Sequence, residues 1–158
     1  MTVPCGDGMI NIRVGAIIIR GGKFLMAWND AHPDYYFSVG GRLKFGENAE
    51  EAVVREVYEE TGVRMEVDRL GFIHESYFYA DGFSAKDKLI YEISFYYYMK
   101  VLKDFSLPCD SFTEGDHTEY LRWVAPDEPL TVYPEFFRTE LVHPEREVKF
   151  FRNDERRK

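Results

Sequence analysis

The sequence predicts one domain of the α/β (α+β) class, in which a mixed β-sheet packs with at least two helices. Stretches of alternating and β-branched residues, which are typical of strands, recur along most of the chain. A helix over residues 48–61 carries capping signals at both ends. The length of 158 residues suits a single domain, which we divide into a core of about 10–142 and a C-terminal tail, 143–158.

The elements before this helix are strands. Residues 10–19 and 23–28 flank Gly21-Gly22, a pattern that predicts a hairpin closed by a two-residue turn. A short aromatic strand over 35–39 follows, and Gly40-Gly41 ends it. The first part of the sheet is therefore predicted to precede the helix.

The central helix has the clearest boundaries. Asn48 is a favourable N-cap, Glu51 stands at the capping-box position, and Gly62 suits the left-handed residue that ends a helix. Later elements follow from weaker patterns. In chain order we predict one or two strands in 63–79, a strand in 88–101, a polar loop over 104–117, a strand at 120–124 and a second helix over 134–142 with Pro134 in its first turn.

The composition restricts the classes of partner. Acidic residues outnumber basic ones by 28 to 20, so no DNA partner is expected, and an anionic substrate needs a metal ion or local arginines. Cys5 and Cys109 form neither a CxxC pair nor a disulfide framework, which favours a reducing, cytoplasmic location. No apolar run reaches the length of about 18 residues that a membrane helix needs, and no signal peptide is visible.

Three glutamates of the central helix fall on one side of it. Glu56, Glu59 and Glu60 lie within an arc of about 100°, where like charges repel by about 0.2–0.5 kcal/mol per pair. Arg55 can pair with Glu51 or Glu59, but it cannot neutralise all three acids. One interpretation is a solvated acidic face; the other is a bound divalent cation, for which oxygen ligands favour Mg²⁺, or Mn²⁺ in its place.

The loop before the helix supports the second interpretation. Residues 40–47 contain three glycines, two cations and one acid, and they lead into the helix N-terminus. Glycines let a backbone approach a ligand closely, and amides near a helix start favour anions. Together with the acidic cluster, this loop predicts a site for phosphate and metal.

The spacing of these residues resembles the Nudix box of the Nudix hydrolases. Gly41 is followed after five residues by Glu47, and after seven more by the run from Arg55 to Val63, so the resemblance covers 23 residues with every defining position filled. One departure is Val39, where many members have proline. The resemblance implies a Nudix-type α/β/α sandwich with a mixed β-sheet.

The resemblance also implies an activity and a set of roles. It implies hydrolysis of a diphosphate linkage in a nucleoside diphosphate derivative. The substrate is thus a small molecule of the nucleotide type, and whether the chain forms a homodimer is left open. Carried over by position, the implied metal ligands are Glu56, Glu59 and Glu60. Glu47 is implied as an auxiliary ligand or as the holder of a metal-bound water, and the Gly41 carbonyl as the group that completes the coordination. Arg55 is implied to orient the glutamates. Two alternatives are a non-catalytic nucleotide-sensing module and a hydrolase that processes RNA ends.

Residues outside the box complete the predicted site. Glu119 is the first choice as general base, ahead of Glu75 and Glu92, although an exposed loop acid is the simpler interpretation of this residue. Arg42 and Arg13 are predicted to bind phosphate, with a surface position on a strand edge as the alternative for Arg13. Aromatic residues over 35–37 are candidates for stacking on a base.

Overall fold

The structure, a computed structural model, describes residues 1–30, 32–80, 87–114 and 117–156. In these residues two β-sheets lie between two helices. The strands are β1 (Thr2–Cys5), β2 (Gly8–Ile17), β3 (Ile19–Arg20), β4 (Lys23–Asn29), β5 (His32–Ser38), β6 (Val67–Tyr79), β7 (Leu89–Met99), β8 (Ser111–Glu114), β9 (His117–Val124), β10 (Val132–Tyr133) and β11 (Lys149–Asp154), and the helices are α1 (Ala49–Thr61) and α2 (Phe137–Glu140).

Both sheets are mixed, as predicted. The first has the order β1-β2-β7-β6-β11, in which β2 pairs with β7, and β6 with β11, in parallel. The second has the order β10-β5-β4-β9-β8, with β3 beside β4, and only its β10–β5 pair is parallel.

Alternating side chains of the strands build two separate cores. On β2, Val14 and Ala16 face α1 and pack with its Val53 and Val57. The next residue, Ile17, faces the other way and joins the core beneath α2. This arrangement of helix, sheets and helix confirms the predicted α/β/α sandwich.

The predicted hairpin over 10–28 is largely wrong. The turn is present, with φ of 58° at Gly21 and 75° at Gly22, but only the short β3 returns along β4. The longer strand β2 is buried on both faces and pairs with β7 in the other sheet. A strand covered on both faces belongs in the middle of a sheet, so the chain changes sheets at Ile18 instead of continuing the hairpin.

Three further expectations need correction or completion. The predicted polar loop contains β8, a short edge strand along β9. The second helix is only four residues long, because its first turn uses i→i+3 bonds, such as Phe137 N to Pro134 O at 3.1 Å, and because His143 precedes a proline. The tail supplies β11 to the first sheet. No helix among the described residues is long and apolar enough to span a membrane.

The helix α1 begins and ends as its capping signals predict. The Asn48 side chain accepts a hydrogen bond from Glu51 N, and the Glu51 carboxylate accepts one from Asn48 N, both at 2.9 Å. Gly62 ends the helix in the left-handed conformation with φ of 70°. The two caps fix where the helix lies relative to the glycine-rich loop before it.

The N-cap gives a testable prediction. We expect Asn48→Ala to lower the free energy of unfolding by about 1 kcal/mol, because the amide of Glu51 loses its acceptor. Urea denaturation monitored by circular dichroism measures the change. Asn48→Ser restores a capping oxygen and should recover most of the loss, and equal stability of the alanine variant and the parent would contradict the assigned cap.

Candidate active site

A cleft of about 710 Å³ opens between α1, the glycine-rich loop and residues of the strands β2, β4, β5 and β9. It brings together residues that lie far apart in the sequence. The predicted site residues that line it are Arg13, Gly41, Arg42, Arg55, Glu56, Glu59 and Glu119. The two others, Glu47 and Glu60, lie behind this lining and contact it through Arg55 and Gly40.

Both glycines of the pair 40–41 are required by close approaches. A Cβ at Gly40, where φ is 139°, would lie 2.3 Å from the Val14 carbonyl oxygen. A Cβ at Gly41 would lie 2.6 Å from the carboxylate of Glu56. A side chain at position 40 would collide with the backbone of β2, and one at position 41 would displace the Glu56 carboxylate, so the loop backbone runs directly against β2 on one side and the glutamates of α1 on the other.

The loop continues along β2 and thereby places two arginines side by side. The backbones of Arg13 and Arg42 pair in an isolated antiparallel β-bridge, and both residues line the cleft. Within the described part of the chain, neither guanidinium has a carboxylate at ion-pair distance. In a chain with a net charge of −8, two such cations are available to an anionic ligand.

Arg55 is the centre of the ion-pair network below the cleft, and all five of its N–H donors are used. Nε and Nη2 hold the two oxygens of Glu47 at 2.9 and 2.6 Å. Nη1 contacts Glu56 at 2.7 Å and Glu59 at 2.9 Å, and Nη2 also donates to the Arg42 carbonyl at 3.3 Å. The Arg55 guanidinium holds the pKa of Glu47 below its usual range, and these acceptors in turn raise the pKa of Arg55.

The three helix glutamates do not form a solvated face. Glu60 is 7% exposed and accepts a hydrogen bond from Gly40 N at 2.9 Å. The Glu56 side chain is 12% exposed, and only Glu59, at 49%, reaches far into solvent. The interpretation of these acids as an ordinary exposed patch is therefore wrong, and the cluster is held in place by Arg55 and by the loop.

The chemistry of this donor set suits a hard divalent cation. Glu56 and Glu59 present carboxylate oxygens to the cleft, and the adjacent Gly41 carbonyl uses one lone pair for Val14 N at 2.9 Å. In the ranges that the structure describes, no three acidic, His or Cys side chains converge as a complete metal cage. Mg²⁺ does not need one, since it commonly binds one or two carboxylates together with waters and substrate phosphates.

Glu47 is less suited to bind a metal than its position in the box implies. Its Oε1 accepts hydrogen bonds from Lys44 N and Arg55 Nη2, both at 2.6 Å, and its Oε2 accepts one from Arg55 Nε. With both oxygens engaged in this way, its main contact is with Arg55.

Glu119 lies in β9 and not in a loop, which corrects the expected position. It stands opposite Asn29 of β4, is 8% exposed and lines the cleft. The exposed-acid alternative is therefore wrong, although the role of Glu119 stays a prediction. The polar segment before it, Gly115-Asp116, lies outside the described residues.

The other expected residues separate into two groups. Tyr35 and Phe37 line the cleft, whereas Tyr36 points to the opposite face of β5 and its hydroxyl accepts a hydrogen bond from Arg122 at 3.0 Å. Glu75 and Glu92 lie outside this cleft. Lys44, the second cation of the predicted loop, also lines it. Asn29 lines it without having been predicted, and the only sequence signal for it is its polar side chain at the end of an apolar strand.

Comparisons with known proteins agree with this geometry. The sequence profile described as NUDIX domain matches residues 9–147. A MutT-like protein of Streptomyces ambofaciens is 35% identical over 66 residues, which cover 42% of this chain and only 43% of that relative.

Several solved structures share the fold at low sequence identity. An ADP-ribose pyrophosphatase from Streptococcus suis has a TM-score of 0.58 at 16% identity and covers 89% of this chain and 98% of its own. A UDP-X diphosphatase has a TM-score of 0.59 at 19% identity, with coverages of 89% and 66%. A MutT NUDIX hydrolase from Burkholderia pseudomallei has a TM-score of 0.57 at 24% identity, with coverages of 85% and 98%.

The Arg55 network predicts a large effect on stability. We expect Arg55→Gln to lower the free energy of unfolding by about 2 kcal/mol or more, because Glu47, Glu56 and Glu59 lose a shared cation. The matched control is Lys44→Gln, which removes the exposed 3.4 Å pair with Glu59 and should cost about 0.5 kcal/mol or less. Chemical denaturation in EDTA compares the two, and equal effects would argue against a central role for Arg55.

Proposed function

The chain belongs to the NUDIX domain family, and we propose that it is a divalent-metal-dependent hydrolase of the diphosphate linkage in a nucleoside diphosphate derivative. The substrate class comprises nucleotides, ADP-ribose-like compounds and nucleotide sugars. One observation carries this proposal: a single cleft contains carboxylates suited to a cation beside two arginines without carboxylate partners in the described chain. A diphosphate with its metal is complementary to both.

In this mechanism Glu56, Glu59 and Glu60 would hold the metal, Mg²⁺ or in its place Mn²⁺. When bound, the metal supplies positive charge for the phosphoryl transition state and lowers the pKa of a bound water. Glu56 and Glu59 face the cleft, and the Gly41 carbonyl lies next to Glu56. Glu60, fastened to Gly40 N, keeps the loop against the helix at this point.

Arg55 and Glu47 orient the metal-binding groups. Arg55 Nη1 takes one oxygen each of Glu56 and Glu59, so the rotation of both carboxylates is fixed. Glu47 holds Arg55 through two parallel hydrogen bonds, and we assign it this positioning role in preference to a direct bond to metal.

Arg13 and Arg42 bind the phosphates. Their bridge holds the two guanidinium groups on the same side of the cleft, where they can contact adjacent phosphoryl oxygens. An acidic protein would repel an anionic substrate, and the two arginines offset this repulsion because they are concentrated where the phosphates lie.

Glu119 takes the proton from the attacking water. Glu119 lines the same cleft as Glu56 and Glu59 of α1, and its backbone is paired with Asn29 of β4. The alternative is that a glutamate of the box acts as the base.

The solved relatives define which compounds to test first. Two of them are described as an ADP-ribose pyrophosphatase and a UDP-X diphosphatase, and these activities are properties of those proteins. At identities below 25% they support the fold and suggest members of a substrate panel.

The metal assignment predicts the behaviour of Glu59→Gln. We expect hydrolysis of a panel of nucleoside diphosphate derivatives to require Mg²⁺ or Mn²⁺ and to stop in EDTA, with the nucleoside monophosphate and the second phosphate monoester measured as products by chromatography. Turnover by Glu59→Gln should fall about 100-fold or more, because a ligand of the charge-stabilising cation is lost. Glu50→Gln is the matched control, since Glu50 is exposed in the first turn of the same helix.

Two outcomes would count against the proposal. Full activity of folded Glu59→Gln would remove the assigned role of this residue. Nucleotide binding without hydrolysis of any panel member would favour a sensing module.

The assignment of Glu119 as the general base predicts a change in kcat and in the pH dependence of the rate. We expect Glu119→Gln to lower kcat by about 10²–10⁴-fold, to leave KM within a small factor, and to remove the acidic limb of the pH–rate profile. Thermal denaturation controls for the loss of a buried charge. An unchanged kcat would transfer the role of base to the box.

A further inference from the structure

A second cleft, of about 470 Å³, adjoins the first where the two sheets separate. The two clefts share Arg13, Tyr35 and Phe37, which form the wall between them. A volume of this size is typical of a pocket for a small organic ligand. A molecule whose phosphates lie in the first cleft can therefore extend past Arg13 into the second.

Three neighbouring strands form the floor of the second cleft, and their registers give it a regular layout. Asn11, Glu92 and Ser76 stand side by side in one row across β2, β7 and β6. Arg13, Ser94 and His74 form the next row, about 6.6 Å farther along the strands. Farther along these strands the same face of the sheet forms the core beneath α2, but within the second cleft its side chains are small or polar.

The end of the floor near the core is formed by Tyr96. Its ring lies across Gly15, where a Cβ would stand 2.4 Å from the ring. Aromatic groups flank the opening as well, since Tyr35 packs edge-on against Tyr133 with ring centroids 5.3 Å apart. This cleft thus combines a polar floor with aromatic walls, which is the environment that a flat heterocycle requires.

The charges of the second cleft are arranged at two ends. Arg13 stands at the wall, and in the described part of the chain it has no carboxylate partner. Glu92 lies one row away, and among the described residues no Lys, Arg or His forms an ion pair with it. The Tyr96 hydroxyl interacts electrostatically with both Glu92 and Arg13. Its burial and the negative charge of Glu92 raise the pKa of Tyr96 to about 12.

Glu92 is suited to accept hydrogen bonds from a ligand. An ionised carboxylate has about four acceptor positions and no donor. Two of these positions are used within the chain, by Asn11 Nδ2 and, at 3.1 Å, by Ser94 Oγ. The other acceptor positions suit a group that presents two adjacent N–H donors. His74, in the neighbouring row, is kept neutral by burial, which lowers its pKa, and so does not compete as a cation.

We propose that the second cleft binds the nucleoside part of the substrate, with its nearest phosphate on Arg13 and an N–H-donating base edge on Glu92. Guanine presents such an edge, with a ring N–H beside an amino group. Uracil instead places carbonyl oxygens on both sides of its single N–H, and these are repelled by a carboxylate. The protein therefore selects guanine over uracil nucleotides. This inference rests on the proposed function for the position of the phosphates.

Binding of reaction products tests the inference without catalysis. Isothermal titration with GMP, AMP, CMP and UMP in Mg²⁺ should give the tightest binding for GMP, by at least about fivefold over UMP. Glu92→Gln should remove most of this preference, because an amide offers one acceptor and adds donors. Glu75→Gln is the matched control: Glu75 is on the neighbouring strand, bonded to Tyr91 and Arg152, and lies outside both clefts.

A second pair of variants separates the base from the phosphate. Arg13→Gln should weaken all four nucleotides by a similar factor and retain the order of preference. Ser76→Leu, which fills the floor beside Glu92 from β6, should weaken GMP binding more than inorganic pyrophosphate binding. If Glu92→Gln does not fold, Ser76→Leu alone tests whether the base binds beside Glu92.

The outcomes distinguish this inference from the proposed function. Equal affinity for the four nucleotides, or an unchanged preference in folded Glu92→Gln, overturns the base site while metal-dependent hydrolysis stands. Selective GMP binding in a protein that hydrolyses no panel member supports the base site and overturns the proposed hydrolase.

Discussion

The Arg55 guanidinium is the interaction on which the rest of the site depends. Five donors on one planar group hold Glu47, Glu56, Glu59 and the loop carbonyl of Arg42, so helix and loop cannot move independently. An acidic cluster without this cation would repel itself at the end of a helix where the dipole already disfavours anions. The network therefore allows carboxylates to be concentrated in one place before any ligand arrives.

Local signals predict the part of the structure that is decided locally. Asn48, Glu51 and Gly62 fix α1 because caps act within a few residues, and the box spacing identifies the acids that this helix presents. The glycines at 40 and 41 were recognisable as a close approach of backbone, but their partners, the Val14 carbonyl and the Glu56 carboxylate, become visible only in the folded chain.

Features decided by distant contacts were missed or misplaced. Apolar alternation cannot tell that β2 lies in a different sheet from β4, because both arrangements bury the same side chains. Glu119 looked like a loop acid because its strand is short and polar where it begins, and its burial comes from pairing with β4. The tail has no periodicity of its own, and β11 is a strand because β6 offers it an edge.

The alternation of side chains along β2 has an evolutionary consequence. Val14 and Ala16 support the helix that carries the acids, while Arg13 faces the other way and lines the second cleft with Ser76 and Glu92 of the neighbouring strands. Mutations at Ser76 and Glu92 can therefore drift without disturbing the scaffold under the box, and a descendant could acquire a new ligand while inheriting the old chemistry. Arg13 is the exception, because it borders both clefts, and so it is the position at which such divergence would be most constrained.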